Sequence, residues 1–178
     1  MTATDITFNR ISYDRFLADI ETVAQYLEAD SWKPDFIVGI GRGGLVPGTF
    51  LSHRTGISQL SIDHSSKIHA FAEALLVHLA TLTHKGERYL FVDDINDTGK
   101  TIGHLRGVIR EMGIAENVRF AVLVNNIRSA ETVDYASWTI DRQVDKDWIV
   151  FPWESVASQE TLVEEAQEDP DRLGLPKA

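Results

Sequence analysis

The sequence has no cysteine among its 178 residues, which excludes a disulfide framework, a thiolate nucleophile and a zinc site of the cysteine type. Nor does a basic stretch lead into an apolar one at the N-terminus, and no apolar run approaches the length that crosses a bilayer. These absences point to a cytoplasmic protein with no membrane partner. Positive charge is scarce too: 17 Lys and Arg against 27 Asp and Glu leave a formal net charge of −10. No basic stripe stands out locally, so nucleic acid is not an expected partner. Seven of the acids fall between Glu154 and Ala178, against Arg172 and Lys177. That end reads as a solvated helix with a frayed terminus, an acidic tail over 157–178 outside the folded unit.

What is present suits one domain. The chain is 43% hydrophobic and long enough for one substantial core. After Ser12, a good N-cap, Phe16, Ile20, Val23 and Leu27 recur at the spacing of one helix face. Phe36–Ile40 reads as a strand running into a glycine loop, Gly41–Gly44, with a helix from Leu45 to Thr55 that Gly56 ends. A brief strand is expected near Leu60 and Ile62, and a helical pattern over 68–82. Tyr89–Val92 reads as a strand, Gly99–Met112 as a helix, Val118–Val124 as a strand covered on both faces, and Trp148–Phe151 as a last apolar piece stopping at Pro152. Alternating strands and helices predict an α/β fold with a central, mostly parallel sheet flanked by helices.

Both unusual loops follow strands, where ligands of open α/β sheets gather. In the second, Asp93, Asp94 and Asp97 precede Thr98-Gly99-Lys100-Thr101. A helix start with unpaired N–H groups, hydroxyls and a positive dipole end suits a phosphate monoester. It is not a Walker loop, because the position that would need the first glycine is Asp94. Carboxylates beside a phosphate cradle repel the ligand unless they bind its hydroxyls or a hard cation. Phosphate, vicinal diol and metal-chelating group together describe a phosphorylated sugar of the ribose 5-phosphate type.

Val92-Asp93-Asp94-Ile95-Asn96-Asp97-Thr98-Gly99-Lys100-Thr101 resembles the signature of the type I phosphoribosyltransferases. Val38–Gly48 resembles that family's pyrophosphate loop, and Trp148–Glu154 its hood segment, as found in bacterial xanthine-guanine and hypoxanthine (6-oxopurine) members. The resemblance implies a transferase domain over 1–156, with a small hood from about 141–156 and the N-terminal segment. It further implies phosphoribosyl pyrophosphate and a nucleobase as substrates, Mg²⁺ as cofactor, and a homo-oligomer, dimer or tetramer. On this likeness Asp93, Asp94, Asp97, Thr98, Gly99, Lys100 and Thr101 bind the ribose and its phosphate. Asp97 handles the purine N7 proton as the catalytic residue. Gly41, Arg42, Gly43, Ser65, Ser66 and Lys67 bind pyrophosphate, Trp148, Ile149, Asn126 and Arg128 bind the base, and Asp93, Asp94 and Glu154 ligate the metal.

Two departures stand out. Where 6-oxopurine members place a lysine after the strand matching Val118–Val124, this chain has Asn125-Asn126-Ile127-Arg128. Where they carry a Ser-Ser-Tyr-like triplet, it has Ser65-Ser66-Lys67 before a helical pattern. The expected function is Mg²⁺-dependent transfer of ribose 5-phosphate to guanine, xanthine or hypoxanthine in purine salvage. A regulatory domain sensing the sugar pyrophosphate or a nucleotide without turnover, and transfer to a non-purine acceptor, are the alternatives.

Overall fold

The structure, a computed structural model, describes residues 6–62 and 86–168. Ser65, Ser66, Lys67 and the helical pattern expected over 68–82 lie outside the described residues. Five strands form one sheet in the order β3-β2-β4-β5-β6: β2 (Phe36–Ile40), β3 (Ser58–Ile62), β4 (Tyr89–Asn96), β5 (Val118–Asn126) and β6 (Tyr135–Ile140). Every pairing in it is parallel. A separate parallel pair joins β1 (Phe8–Arg10) to β7 (Trp148–Val150), with Phe8 opposite Trp148.

Period-two alternation sends successive β4 side chains to opposite layers. Leu90 and Val92 join the core beneath α1 (Tyr13–Ala29) and α2 (Gly41–Thr55), which includes Phe16, Ile20, Leu27 and Leu51. Tyr89 and Phe91 join the opposite core, where Ile102, Leu105 and Ile109 of α3 (Lys100–Glu111) cover the sheet. The Ser12 hydroxyl caps α1 as the sequence predicts, accepting from the Arg15 N–H at 3.1 Å.

Three sequence expectations change. The glycine loop expected over Gly41–Gly44 is the first turn of α2, which begins immediately at the end of β2. Gly41, at φ 52°, turns the chain, and a Cβ on Gly44 would lie 2.0 Å from the Val92 carbonyl oxygen. The glycines therefore bring helix against strand. β6 was not anticipated, although Tyr135, Trp138, Thr139 and Ile140 are residues that favour a strand; it is the edge strand of the sheet.

The acidic tail is the third. Within it Gln159–Glu168 forms a helix, α4, whose Leu162 and Ala166 are fully buried against Trp148 and Val150. It belongs to the folded unit. No helix among the described residues is long and apolar enough to cross a membrane.

Candidate active site

The chain leaves β2 toward β3 on one side and returns to β4 on the other, so the carboxyl ends of β2 and β4 flank the point where the winding reverses. Such a point opens a crevice between the loops that follow the two strands. Here the crevice is a cavity of about 470 Å³. Two helices begin at it, α2 behind Ile40 and α3 behind Gly99, and neither N-cap residue supplies a side-chain hydrogen bond. Gly99 needs its φ of 85°, and a Cβ there would meet the Ser129 hydroxyl at 2.8 Å.

Nine of the residues predicted from the sequence meet around this cavity. Gly41, Arg42 and Gly43 come from α2, Asp93 and Asp94 from the end of β4, Thr101 from the first turn of α3, and Trp148, Ile149 and Glu154 from the opposite wall. Gly43 is a contact as well as a turn: a Cβ would sit 2.6 Å from an Asp94 carboxylate oxygen. Phe151, Trp153, Thr161 and Glu165 line it as well, and sequence reasoning did not single them out. Phe151 and Trp153 stack with centroids 4.9 Å apart and planes 5° apart, which makes a flat apolar face at the acidic cavity's edge.

Other predicted residues do not line the cavity. Thr98, Gly99 and Lys100 shape the turn that leads to Thr101 rather than lining the cavity themselves. Asp97, expected to meet the base, is 3% exposed and does not line it. Its carboxylate is gripped by Arg142, with Nη2 2.9 Å from one oxygen and Nε 3.0 and 3.2 Å from the two. Asn126, expected to read the base, is buried beside it. Its amide donates to the Asp97 carbonyl at 3.0 Å, and its oxygen accepts from the backbone N–H groups of Arg128 and Arg142. Arg128, expected to bind the base, does not line the cavity. It makes a forked pair with Asp141 at 2.6 and 2.9 Å, which holds the Asp141 carboxyl below its usual range.

The three expected metal ligands, Asp93, Asp94 and Glu154, all line the cavity. One Glu154 carboxylate oxygen accepts from the Phe151 N–H at 2.7 Å, and among the described residues no three His, Asp or Glu side chains group closely enough to hold an ion by themselves. The two loop aspartates remain adjacent at the cavity. Burial pushes the Glu154 carboxyl up to about 7, and the charges of Asp94 and Glu165 add to it, against the Phe151 N–H and Arg42. Arg42 itself reaches Glu165 at 3.2 Å across the mouth.

A sequence model of the phosphoribosyl transferase domain matches residues 12–159. Among solved structures, a purine phosphoribosyltransferase from Pyrococcus horikoshii Ot3 superimposes with a TM-score of 0.61 at 25% identity, covering 84% of this chain and 96% of that one. A xanthine-guanine-hypoxanthine phosphoribosyltransferase from Helicobacter pylori gives 0.63 at 21%, covering 83% and 93%. A hypothetical protein from Neisseria gonorrhoeae with bound ppGpp gives 0.66 at 18%, covering 92% and 97%. The last two likenesses speak for the fold alone.

Proposed function

Because the chain belongs to the phosphoribosyl transferase domain family, we propose that this cavity transfers ribose 5-phosphate from phosphoribosyl pyrophosphate to a purine base, guanine, xanthine or hypoxanthine, releasing pyrophosphate. The observation that carries this reading is one cavity holding two helix starts, the Asp93–Asp94 pair and an aromatic face. Each half of the reaction has chemistry suited to it.

In the reaction the bond from the anomeric carbon to the pyrophosphate oxygen breaks, the oxygen keeping the electron pair. A bond to a ring nitrogen of the base forms, and the base gives up one proton. Asp93 and Asp94 accept from the ribose hydroxyls and lie near the carbon where positive charge develops, which they stabilise. The α3 start with Thr101 receives the 5-phosphate, and the α2 start with Arg42 receives the pyrophosphate. Trp148 and the Phe151–Trp153 stack offer the base a flat surface that also excludes water.

The charges around the cavity bear on the metal. Among the described residues its lining has four carboxylates, Asp93, Asp94, Glu154 and Glu165, and the single cation Arg42. A pyrophosphate entering alone would face net repulsion, so a divalent cation arriving with it balances the charge. Mg²⁺ keeps most of its waters and takes one or two carboxylates plus substrate oxygens. Asp93 and Asp94 fit that role, and the ion would neutralise the leaving group. Asp97, clasped by Arg142, is in this reading an anchor for the loop, and the proton of the base passes to water at the cavity mouth.

The test measures pyrophosphate release and, separately, binding of phosphoribosyl pyrophosphate by calorimetry, with and without Mg²⁺, against guanine, xanthine, hypoxanthine, adenine, uracil and orotate. Release with a 6-oxopurine, and binding that collapses without Mg²⁺, is the expected result. Release only with a pyrimidine, or with none of the bases, would overturn it.

A further inference from the structure

Behind the cavity, the side chain of Arg142 spans two segments far apart in the chain. Its Nε and Nη2 edge holds the Asp97 carboxylate, while Nη1 donates to the Asp147 carbonyl at 2.6 Å and reaches that of Asp145 at 3.5 Å. Asp97 lies between β4 and the phosphate-binding turn that leads to Thr101. Asp147 directly precedes Trp148, whose own N–H donates to the Thr7 carbonyl at 2.8 Å. The Arg142 N–H closes the unit through Asn126, which also holds the Asp97 carbonyl.

A guanidinium is a planar fork whose donors point along different edges at fixed angles. It fixes the separation of groups bound on those edges. We propose that Arg142 is a positioning residue that sets the distance between the sugar-phosphate wall at Asp93–Thr101 and the base wall at Trp148–Ile149. Burial makes the tie stiff: Arg142 is 7% exposed and Asp97 3%, so little water competes for either edge. A ligand that touches one wall is indifferent to this distance. A ligand that spans both is sensitive to it, because a small error in register costs the contacts at one end.

The inference takes its ligand arm from the purine-transfer reading, and a second arm is independent of it. Arg142→Lys keeps the charge opposite Asp97, but one ammonium cannot serve both edges. Three quantities are measured in the variant and the parent: the affinity for inorganic pyrophosphate with Mg²⁺, the affinity for guanosine 5′-monophosphate, and amide hydrogen exchange over 97–101 and 145–149.

Pyrophosphate is expected to bind within twofold of the parent, the nucleotide at least tenfold more weakly, and exchange to quicken in both segments together. A merely structural role would weaken both ligands alike. Nucleotide affinity kept within twofold, or exchange rising in one segment alone, overturns the proposal. If the parent binds no nucleoside monophosphate, the purine reading fails, and the paired exchange still decides the coupling. Should Arg142→Lys not fold, the neutral pair Asp97→Asn/Arg142→Gln answers the same question by the same outcomes.

Discussion

On one side of the cavity, Gly41, Gly43, Asp93, Asp94 and Thr101 sit where two neighbouring strands of a five-stranded sheet end. On the other, Trp148, Glu154 and Glu165 come from a short strand, a 3-10 turn over Pro152–Val156 and α4. The first wall is held by backbone, since β2 and β4 are both interior strands paired on each side. The second rests on one two-stranded pair, a small cluster of Trp148, Val150, Leu162 and Ala166, and the side-chain tie from Arg142 at its start. Positions set by a ladder of hydrogen bonds tolerate few changes, whereas positions set by side-chain packing shift with the side chains. The strand-end half of the cavity is thus rigid by construction, and the half built on β7 and α4 is open to adjustment.

The difference can be broken from the rigid side first. Asp94→Asn keeps the shape against Gly43 but removes a charge from the place the proposed reaction gives to the anomeric carbon. kcat/KM in the transfer assay should drop by about 100-fold or more, with thermal unfolding little changed. A variant that turns over normally would show that the strand-end wall is scaffold and not chemistry.

On the adjustable side, Leu162→Ala removes a side chain that is 1% exposed. Denaturant unfolding should show a loss of about 2–3 kcal/mol, and amide exchange should rise over 148–168 while β2 and β4 keep their protection. Equal loss of protection in the sheet would erase the distinction between the walls.

The smallest effect is electrostatic. The Glu154 carboxyl is raised to about 7 from 4.5, so the folded state holds its proton where the unfolded state has lost it. The unfolded chain binds fewer protons between those values, and stability falls as pH rises from about 4.5 to about 7. Glu154→Gln keeps the acceptor for Phe151 and abolishes the penalty. In metal-free buffer its stability should match the parent near pH 4 and exceed it by about 1 kcal/mol at pH 8. A pH-independent difference would mean that Glu154 carries its charge without strain.

The same division explains what could be read from the sequence. Asp93, Asp94 and Thr101 were legible because they lie close together in the chain, behind a strand with a clear apolar run. The α1 helix was legible from its cap and its period. Gly41–Gly44 read as a loop because glycine signals a turn, although here it serves close packing of α2 on β4. Thr161 and Glu165 were hidden because α4 is anchored by only Leu162 and Ala166 within an acidic stretch. That i, i+4 pair was the available signal. Arg142 left no trace in periodicity: its partners Asp97, Asn126 and Asp147 are single polar residues from three segments, brought together only by the fold.

The pairing of β1 with β7 also has a consequence in time. Phe8 meets Trp148, so the first strand has no partner until nearly the whole domain has been synthesised, an interval of roughly ten seconds at ordinary rates of translation. Until then the sheet that carries Asp93 and Asp94 can assemble, and the wall that carries Trp148 cannot. The nascent protein thus passes through a stage in which one half of its site exists and the other is still waiting for its last strand.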